Sequence, residues 1–316
     1  MTVSRRYGPH NLGASGLCFG TMQFGAGASE TDSQEMYEDC RAAGINFFDT
    51  AYVYTEGRSE QILGRLIKLE REQIILVTKA GAVGGSSAQN IRNQLETSLK
   101  RLNQDYTDIF FLHRFDDDIP LEETFEELQR LKSEGKFFHL GVSNFSAWQV
   151  MKAQGVALRN GFPLIELLQP MYNLVKRQAE VELLPMALSE DIGVISYSPL
   201  GGGVLTGKYK EGIRSSDGRL SWDEKYAARY GQAWMHEAAD RLQEIAAEAG
   251  VGPLALAVSW VARHKAITAP IISARNRVQL APSLLAVDFE MDEALYQTLS
   301  QLAPTPPPAT DRLEEQ

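Results

Sequence analysis

The chain has 316 residues, of which 44% are hydrophobic and 23% are charged, and its formal net charge is −10. This balance is typical of a folded globular protein with a sizeable core, and it excludes disorder of the bulk of the chain. Because the acidic charge repels phosphate backbones and anionic lipids, we expect neither nucleic acid nor a membrane as a partner.

The two cysteines, Cys18 and Cys40, are too few for the disulfide framework of a secreted protein and lack the Cys/His spacing of a zinc site. We therefore expect no metal ion and a reducing compartment. Residues 1–12 have no apolar stretch behind them to form a signal peptide, and no run approaches the roughly 18 apolar residues of a membrane span. These features predict a cytoplasmic protein.

Short apolar runs alternate with longer segments of helical periodicity along the chain. The eight runs are residues 17–20, 46–49, 74–78, 108–112, 138–142, 164–168, 194–196 and 267–271. Continuous apolar runs indicate parallel strands that are buried on both faces, and eight strand–helix units favour a closed (β/α)8 TIM barrel. The alternative, a doubly wound sheet, usually has Gly-x-Gly-x-x-Gly after its first strand, and residues 21–27 lack that spacing.

Two segments depart from this alternation. Residues 201–237 are too long for an ordinary connection and are rich in aromatic side chains, which predicts a functional loop that packs onto the barrel. The proline-rich residues 304–308 and the charged end that follows predict an extended tail over 304–316. We therefore predict a single barrel domain over residues 1–303.

Three successive predicted strands end in polar residues: Asp49, Lys79 and His113. Active sites of such barrels lie at the carboxyl ends of the strands, where side chains from adjacent strands meet. Taken singly, each residue has a simpler interpretation as a solvated loop residue or a helix cap. Together they predict a carboxylate, an ammonium and an imidazole at one barrel mouth, with Asp49 and Lys79 as a partly buried ion pair.

Tyr54 follows Asp49 in a loop that leads to a helix, for which Ser59 is a candidate cap. A phenol beside a lysine ammonium is expected to have a lowered pKa, which makes Tyr54 a candidate general acid. Tyr52 is the alternative, although we expect it to form an aromatic wall. Without a metal or a nucleophile–base pattern, the reactivity requires a hydride-donating cofactor.

The chain resembles the aldo-keto reductases over nearly its whole length. The motifs that carry the resemblance are residues 44–51 (GINFFDTA), Tyr54, residues 57–60 (GRSE), 77–79 (VTK) and 112–113 (LH). Asp49, Tyr54, Lys79 and His113 fill that family's tetrad. The resemblance implies that Tyr54 is the acid, that Lys79 and Asp49 tune it, and that His113 orients the carbonyl group.

The resemblance also implies a cofactor site for NADPH, in preference to NADH. Ser143, Asn144 and Gln169 are expected to hold the nicotinamide amide, and Tyr197 to stack on its ring. Residues 197–209 are similar to the family's pyrophosphate loop, and Arg275 is expected to meet the 2′-phosphate, which suits a guanidinium. The remaining expected contacts are Gly20, Thr21, Met22, Asp49, Ser198, Leu200, Gly203, Lys208, Ser273, Gln279 and Ser283.

Three positions depart from the family's usual residues: Thr55 and Ser273 replace glycine, and Ser283 replaces asparagine. The resemblance implies a reversible NADPH-dependent reduction of an aldehyde, ketone or sugar aldehyde to an alcohol. The alternative is a cofactor-binding regulatory subunit with weak turnover. Tyr54, His113, Arg114 and Tyr52 are the expected substrate contacts, with Met22, Phe115, Trp222 and Trp234 as candidate pocket walls.

Overall fold

The computed structural model of the protein describes residues 5–209, 220 and 223–315. A short antiparallel hairpin, β1 (Arg6–Tyr7) and β2 (Leu12–Gly13), precedes eight parallel strands that close into a barrel. The barrel strands are β3 (Cys18–Gly20), β4 (Phe47–Asp49), β5 (Ile75–Ala80), β6 (Thr107–Leu112), β7 (Phe137–Ser143), β8 (Ile165–Gln169), β9 (Gly193–Ser196) and β10 (Ala269–Ile272). Each predicted apolar run overlaps one of these strands, so the predicted TIM barrel is confirmed.

The described part of the chain contains eleven α-helices around the barrel. They are α1 (Glu30–Ala42), α2 (Arg58–Ile67), α3 (Ala88–Leu102), α4 (Leu121–Ser133), α5 (Ala147–Asn160), α6 (Leu183–Ser189), α7 (Glu224–Tyr230), α8 (Ala233–Ala249), α9 (Pro253–Arg263), α10 (Arg277–Leu284) and α11 (Glu293–Ser300). Helix α3 shows why they form: Ser87 caps its first turn, and Ile91, Leu95 and Leu99 recur on its buried face.

The barrel interior is filled by apolar side chains, among them Phe47, Val77, Phe111 and Ile195, which are fully buried. Tyr7 of the hairpin packs on Phe47, with 5.9 Å between the ring centroids, and closes the amino-terminal end of the barrel. The carboxyl ends of the strands therefore form the end at which a ligand can enter.

Within the predicted long loop, the described residues are largely helical. Residues Gly201–Thr206 form a 3₁₀ turn, and α7 and the start of α8 follow. Tyr230 is fully buried, as the aromatic content of the segment predicts. Trp222 lies outside the described residues. In the predicted tail, residues 304–312 form neither helix nor strand, and a 3₁₀ turn follows at Leu313–Glu315.

None of the described helices alone is long and apolar enough to cross a membrane. Helices α8 and α9 meet the length and composition criteria only as a pair, and that pair is bent by 98°.

Candidate active site

Asp49, Lys79 and Tyr54 form a connected group at the carboxyl end of the barrel. The Lys79 ammonium donates to Asp49 Oδ1 at 2.6 Å, to the Thr50 carbonyl at 2.8 Å and to the Tyr54 hydroxyl oxygen at 3.3 Å. The side chains of Lys79 and Asp49 are 0% and 3% exposed, so the pair is more deeply buried than the sequence predicts. Because the Tyr54 oxygen accepts from Lys79, its own proton is free to face another acceptor.

The pKa of Tyr54 is raised above its usual value because burial disfavours the phenolate, although the neighbouring Lys79 charge acts in the opposite direction. The expected lowering of this pKa by Lys79 is therefore wrong in its net direction. Burial is the largest influence on Lys79 and opposes its charge, but Asp49 and Tyr54 together outweigh burial and raise the pKa of Lys79. In the neutral range the group thus consists of a phenol, an ammonium and its carboxylate.

The loop that carries Tyr54 has an unusual backbone. Thr55, Glu56 and Gly57 have φ values of 48°, 58° and 90° in succession. Residues other than glycine seldom adopt this positive-φ region. The Thr55 hydroxyl donates to the Phe24 carbonyl at 2.9 Å and accepts from the Ser59 amide at 2.8 Å, which ties the loop to the turn after β3.

Ser59 does not cap helix α2, because Gly57 occupies the cap position and Ser59 lies within the first turn. Its buried hydroxyl instead lies 2.8 Å from Thr21 Oγ1 and 2.9 Å from Thr50 Oγ1. The predicted cap is therefore wrong. The serine joins the ends of β3 and β4 to the helix behind them.

His113 follows β6 and lies beside Tyr54, with 6.0 Å between the ring centroids. Burial, aided by the charges of Lys79 and Arg114, lowers the pKa of His113 to about 3. The imidazole is therefore neutral at neutral pH and carries one N–H donor. Its Nδ1 is buried and has no hydrogen-bond partner among the described residues.

A network of polar side chains connects β7, β8 and β9 to this group. The Gln169 side chain donates from Nε2 to Asp49 Oδ2 at 2.8 Å, and the Gln169 backbone carbonyl accepts from the Ser143 hydroxyl at 3.0 Å. Asn144 donates to the His113 carbonyl at 3.0 Å and accepts from the Tyr197 hydroxyl at 2.9 Å. Ser146 occupies the N-cap position of helix α5, so Ser143 and Asn144 both precede the cap.

A cavity of about 730 Å³ opens above the tetrad and is lined by Asp49, Tyr54 and His113. It brings together every residue predicted to contact the cofactor except Thr21 and Ser283. The predicted residues that line it are Gly20, Met22, Asp49, Ser143, Asn144, Gln169, Tyr197, Ser198, Leu200, Gly203, Lys208, Ser273, Arg275 and Gln279. Thr21 is buried and donates to the Asp49 carbonyl at 3.0 Å, and Ser283 is buried in α10, where its neighbour Pro282 faces the cavity instead.

Two predicted substrate contacts, Tyr52 and Arg114, do not line the cavity. The Tyr52 ring packs beneath the Arg101 guanidinium, at 4.6 Å from its centroid, and Arg114 is exposed. Of the candidate pocket walls described by the structure, Met22 lines the cavity and Trp234 does not. Phe115 packs against the Phe145 ring instead, with 5.1 Å between the centroids.

Several cavity residues were not predicted individually. Pro199, Gly202 and Thr206 lie within the predicted pyrophosphate loop, and Gln23, Ile271, Ile272, Ala274 and Pro282 lie within two residues of predicted contacts. Tyr226 of α7 and Leu254 of α9 also line the cavity, although they are remote in sequence from the other lining residues. The aromatic content of the long segment was the only signal for Tyr226, and nothing in the local pattern indicates Leu254.

One part of the cavity is strongly cationic. Lys208 and Arg275 both line it, and neither has a carboxylate within 4.0 Å among the residues that the structure describes. Burial and the charge of Arg275 lower the pKa of Lys208. Gly203 has a φ of 99°, and a Cβ there would lie 2.9 Å from Lys208 Nζ, so glycine leaves room for the lysine. Two cations in one cavity, without a carboxylate partner among the described residues, favour a phosphate-bearing ligand.

The family comparison gives a consistent result. The model of the Aldo/keto reductase family matches residues 16–304. This match, on a barrel with such a cavity, places the protein in the class of oxidoreductases that act on carbonyl compounds.

Individual relatives cover most of the chain. A protein named "Probable voltage-gated potassium channel subunit beta" from Arabidopsis thaliana is 36% identical over 88% of this chain and 90% of its own length. "Uncharacterized oxidoreductase YrpG" of Bacillus subtilis (strain 168) is 32% identical over 95% of each chain. "Aflatoxin B1 aldehyde reductase member 2" of Rattus norvegicus is 35% identical over 90% of this chain and 84% of its own length. The chain therefore belongs to the Aldo/keto reductase family, which confirms the resemblance.

Proposed function

We propose that the protein is an NADPH-dependent reductase that converts an aldehyde, ketone or sugar aldehyde to an alcohol, reversibly, with Tyr54 as the general acid. The observation that carries the proposal is the contact of the Tyr54 oxygen with the buried Lys79–Asp49 pair, at the base of a cavity that also contains Lys208 and Arg275. The relative named as an aldehyde reductase supports the same reaction.

The cavity residues fit a nicotinamide dinucleotide phosphate. Lys208 and Arg275 would hold its phosphate groups, and the Asn144–Tyr197 pair would hold the nicotinamide end close to Tyr54. Arg275 favours NADPH over NADH because a guanidinium binds the additional 2′-phosphate through charge-assisted hydrogen bonds. When bound, the cofactor supplies a hydride to the carbonyl carbon of the substrate.

The chain's own residues supply the proton and the orientation. Neutral His113 would donate its N–H to the carbonyl oxygen and orient the substrate without adding a charge. Tyr54 would transfer its hydroxyl proton to that oxygen as the carbon is reduced, and Lys79 would stabilise the phenolate that remains. Solvent then returns a proton to Tyr54. In the reverse direction, the phenolate would accept the proton of the alcohol.

The test is to follow NADPH absorbance with a panel of aldehydes, ketones and sugars. We expect Tyr54→Phe to lower kcat by at least about 100-fold, because it removes the proton donor. Tyr106→Phe is the matched control: it removes a phenol hydroxyl just before β6, where the ring packs on Arg71 outside the cavity. A Tyr54→Phe rate equal to that of wild type would refute the assignment of the acid.

A second candidate function is a cofactor-binding regulatory subunit, and it is weighed because the Arabidopsis thaliana relative is named as a channel subunit and not as a reductase. The two functions predict different rates of carbonyl reduction by the purified chain in the absence of any partner protein. Sustained reduction of a carbonyl over many cycles by the purified chain excludes a purely regulatory role. A single turnover followed by tight retention of the oxidised cofactor would favour it.

A further inference from the structure

A second buried ion pair lies directly behind the Tyr54 loop. Glu60 of α2 is fully buried, and its two carboxylate oxygens are bound by separate partners. Oε1 accepts from the hydroxyl of Thr78, the residue before Lys79, at 2.8 Å. Oε2 accepts from Arg101 Nη1 of α3 at 3.1 Å. The pair thus links two helices to the strand that carries Lys79.

The Arg101 guanidinium contacts the Tyr54 loop on both sides of Tyr54. Before it, Nη1 donates to the Tyr52 carbonyl at 2.9 Å, and the guanidinium lies over the Tyr52 ring. After it, Gly57 is so close that a Cβ at that position would lie 2.5 Å from Arg101 Cζ. The loop therefore folds around the guanidinium, and Tyr54 lies between the two contacts.

The path of this loop needs an external support. Thr55 and Glu56 hold positive φ values that their side chains disfavour. The backbone amide of Tyr52 donates to the Lys79 carbonyl at 3.0 Å, which sets one end of the loop relative to the lysine. The Thr55 hydroxyl bonds hold the middle of the loop, and the Arg101 contacts hold it at Tyr52 and Gly57, on either side of Tyr54 and Thr55. Neither Arg101 nor Glu60 lines the cavity.

We propose that Arg101 and Glu60 are positioning residues that hold the Tyr54 hydroxyl against Lys79 and toward the carbonyl oxygen. This inference rests on the proposed function. Because the pair touches the loop and not the cavity, its loss should affect the proton-transfer geometry and leave ligand binding intact. A displacement of about 1 Å at a reacting group lowers a rate by on the order of 100-fold.

Helix α3 offers a matched control in a second arginine. Arg92 is 26% exposed and binds Glu127, which is 5% exposed, whereas Arg101 is 21% exposed and binds the fully buried Glu60. Arg92 bridges α3 to α4 and has no contact with the Tyr54 loop. Substitution of either arginine thus removes an ion pair between α3 and a buried carboxylate, and Arg92 additionally loses its bonds to Glu96 and Glu134. Only Arg101 contacts the Tyr54 loop.

The experiment compares Arg101→Lys and the double variant Arg101→Met/Glu60→Gln with Arg92→Lys and Arg92→Met/Glu127→Gln. The double variants leave no unpaired buried charge, which favours their folding. For each we would measure kcat, KM for the carbonyl, Kd for NADPH by fluorescence, and the isotope effect on kcat with deuterated NADPH. The fraction of folded protein would be taken from the cofactor-binding stoichiometry.

For Arg101→Met/Glu60→Gln we expect kcat to fall 10- to 100-fold, with KM and Kd within about threefold of wild type. The isotope effect should be at least as large as that of wild type, because a slower chemical step limits kcat more fully. Arg101→Lys should recover part of kcat, and the Arg92 variants should retain wild-type kcat and isotope effect. A loss of folded fraction alone changes neither KM nor the isotope effect.

Equal kcat and isotope effects in the Arg101 and Arg92 series would overturn the positioning role. So would a loss confined to cofactor affinity. If Arg101→Met/Glu60→Gln does not fold, the kcat and isotope effect of Arg101→Lys decide by the same criteria. Tyr54→Phe is measured in parallel: a wild-type rate in that variant, or no carbonyl reduction by the wild type, defeats the proposed function itself and not merely this extension.

Discussion

Removing the negative charge of the buried Asp49–Lys79 pair should destabilise the fold by an amount that depends on pH. In Asp49→Asn, the Lys79 ammonium loses a carboxylate at 2.6 Å. With an effective dielectric constant of about 20, that attraction is about 6 kcal/mol. The destabilisation cannot exceed the free energy of deprotonating Lys79, because the variant can fold with a neutral lysine. At pH 7 that deprotonation costs about 4–5 kcal/mol for a lysine of ordinary pKa. We expect a decrease of about 3–5 kcal/mol in the free energy of unfolding at pH 7.

The pH dependence separates this explanation from a general packing defect. In wild type, the pKa of Lys79 is raised, so its contribution to stability is constant below the ordinary lysine pKa and is lost only at higher pH. In Asp49→Asn, burial without a counter-ion should lower the pKa of Lys79 below that of the unfolded chain. The unfolded state then binds more protons, so the variant becomes more stable as pH rises. The difference from wild type should shrink by about 2–3 kcal/mol between pH 7 and pH 9.

The assay is urea denaturation of both proteins at pH 7 and pH 9. Asp191→Asn is the control, because its carboxylate pairs with Arg5 but is 94% exposed, and we expect less than about 1 kcal/mol. Asp49→Asn/Lys79→Met, which removes both charges, should recover much of the lost stability at pH 7. A difference between Asp49→Asn and wild type that is the same at pH 7 and pH 9 would refute the argument.

Three further predictions concern the cavity. Arg275→Met should raise the Kd for NADPH by about 10- to 100-fold and leave the Kd for NADH within threefold, in a fluorescence titration, because only NADPH offers the additional phosphate. Gly203→Ala should weaken NADPH binding about tenfold or more, because a side chain at φ 99° is strained and its Cβ meets Lys208. The pKa of His113 is about 3 in the folded protein, so below about pH 6.5 this histidine is protonated in the unfolded chain but not in the folded one. The free energy of unfolding therefore falls as the pH drops from about 6.5. His113→Gln should reduce that loss between pH 7 and pH 5, measured as the change in the free energy of unfolding in urea.

Gly250→Ala tests strain alone, since Gly250 has a φ of 65° at the end of α8 with no atom near its missing Cβ, and it should bind NADPH normally. Equal losses of NADPH and NADH affinity in Arg275→Met would argue against a 2′-phosphate contact. An acid-side loss of stability that is unchanged in His113→Gln would show that other groups control it.

The positions of the tetrad residues could be predicted from local sequence because strand ends are a local signal. An apolar run that ends in Asp49, Lys79 or His113 is visible without any knowledge of distant residues, and the carboxyl ends of parallel strands meet by geometry. The direction of the pKa shift of Tyr54 could not be predicted in this way. The neighbouring lysine suggests a lowered pKa, but burial by the surrounding chain has the larger effect and raises it.

The sequence by itself determined the barrel and the group of residues at its mouth, because hydrophobic runs and the residues that end them are properties of short segments. Only the tertiary structure decided what surrounds that group. In the folded chain Tyr52 contacts Arg101 and does not line the cavity, whereas Tyr226 and Leu254 do. The Glu60–Arg101 pair lies behind the Tyr54 loop. These contacts join residues far apart in the chain, and their burial depends on how the helices pack around the barrel.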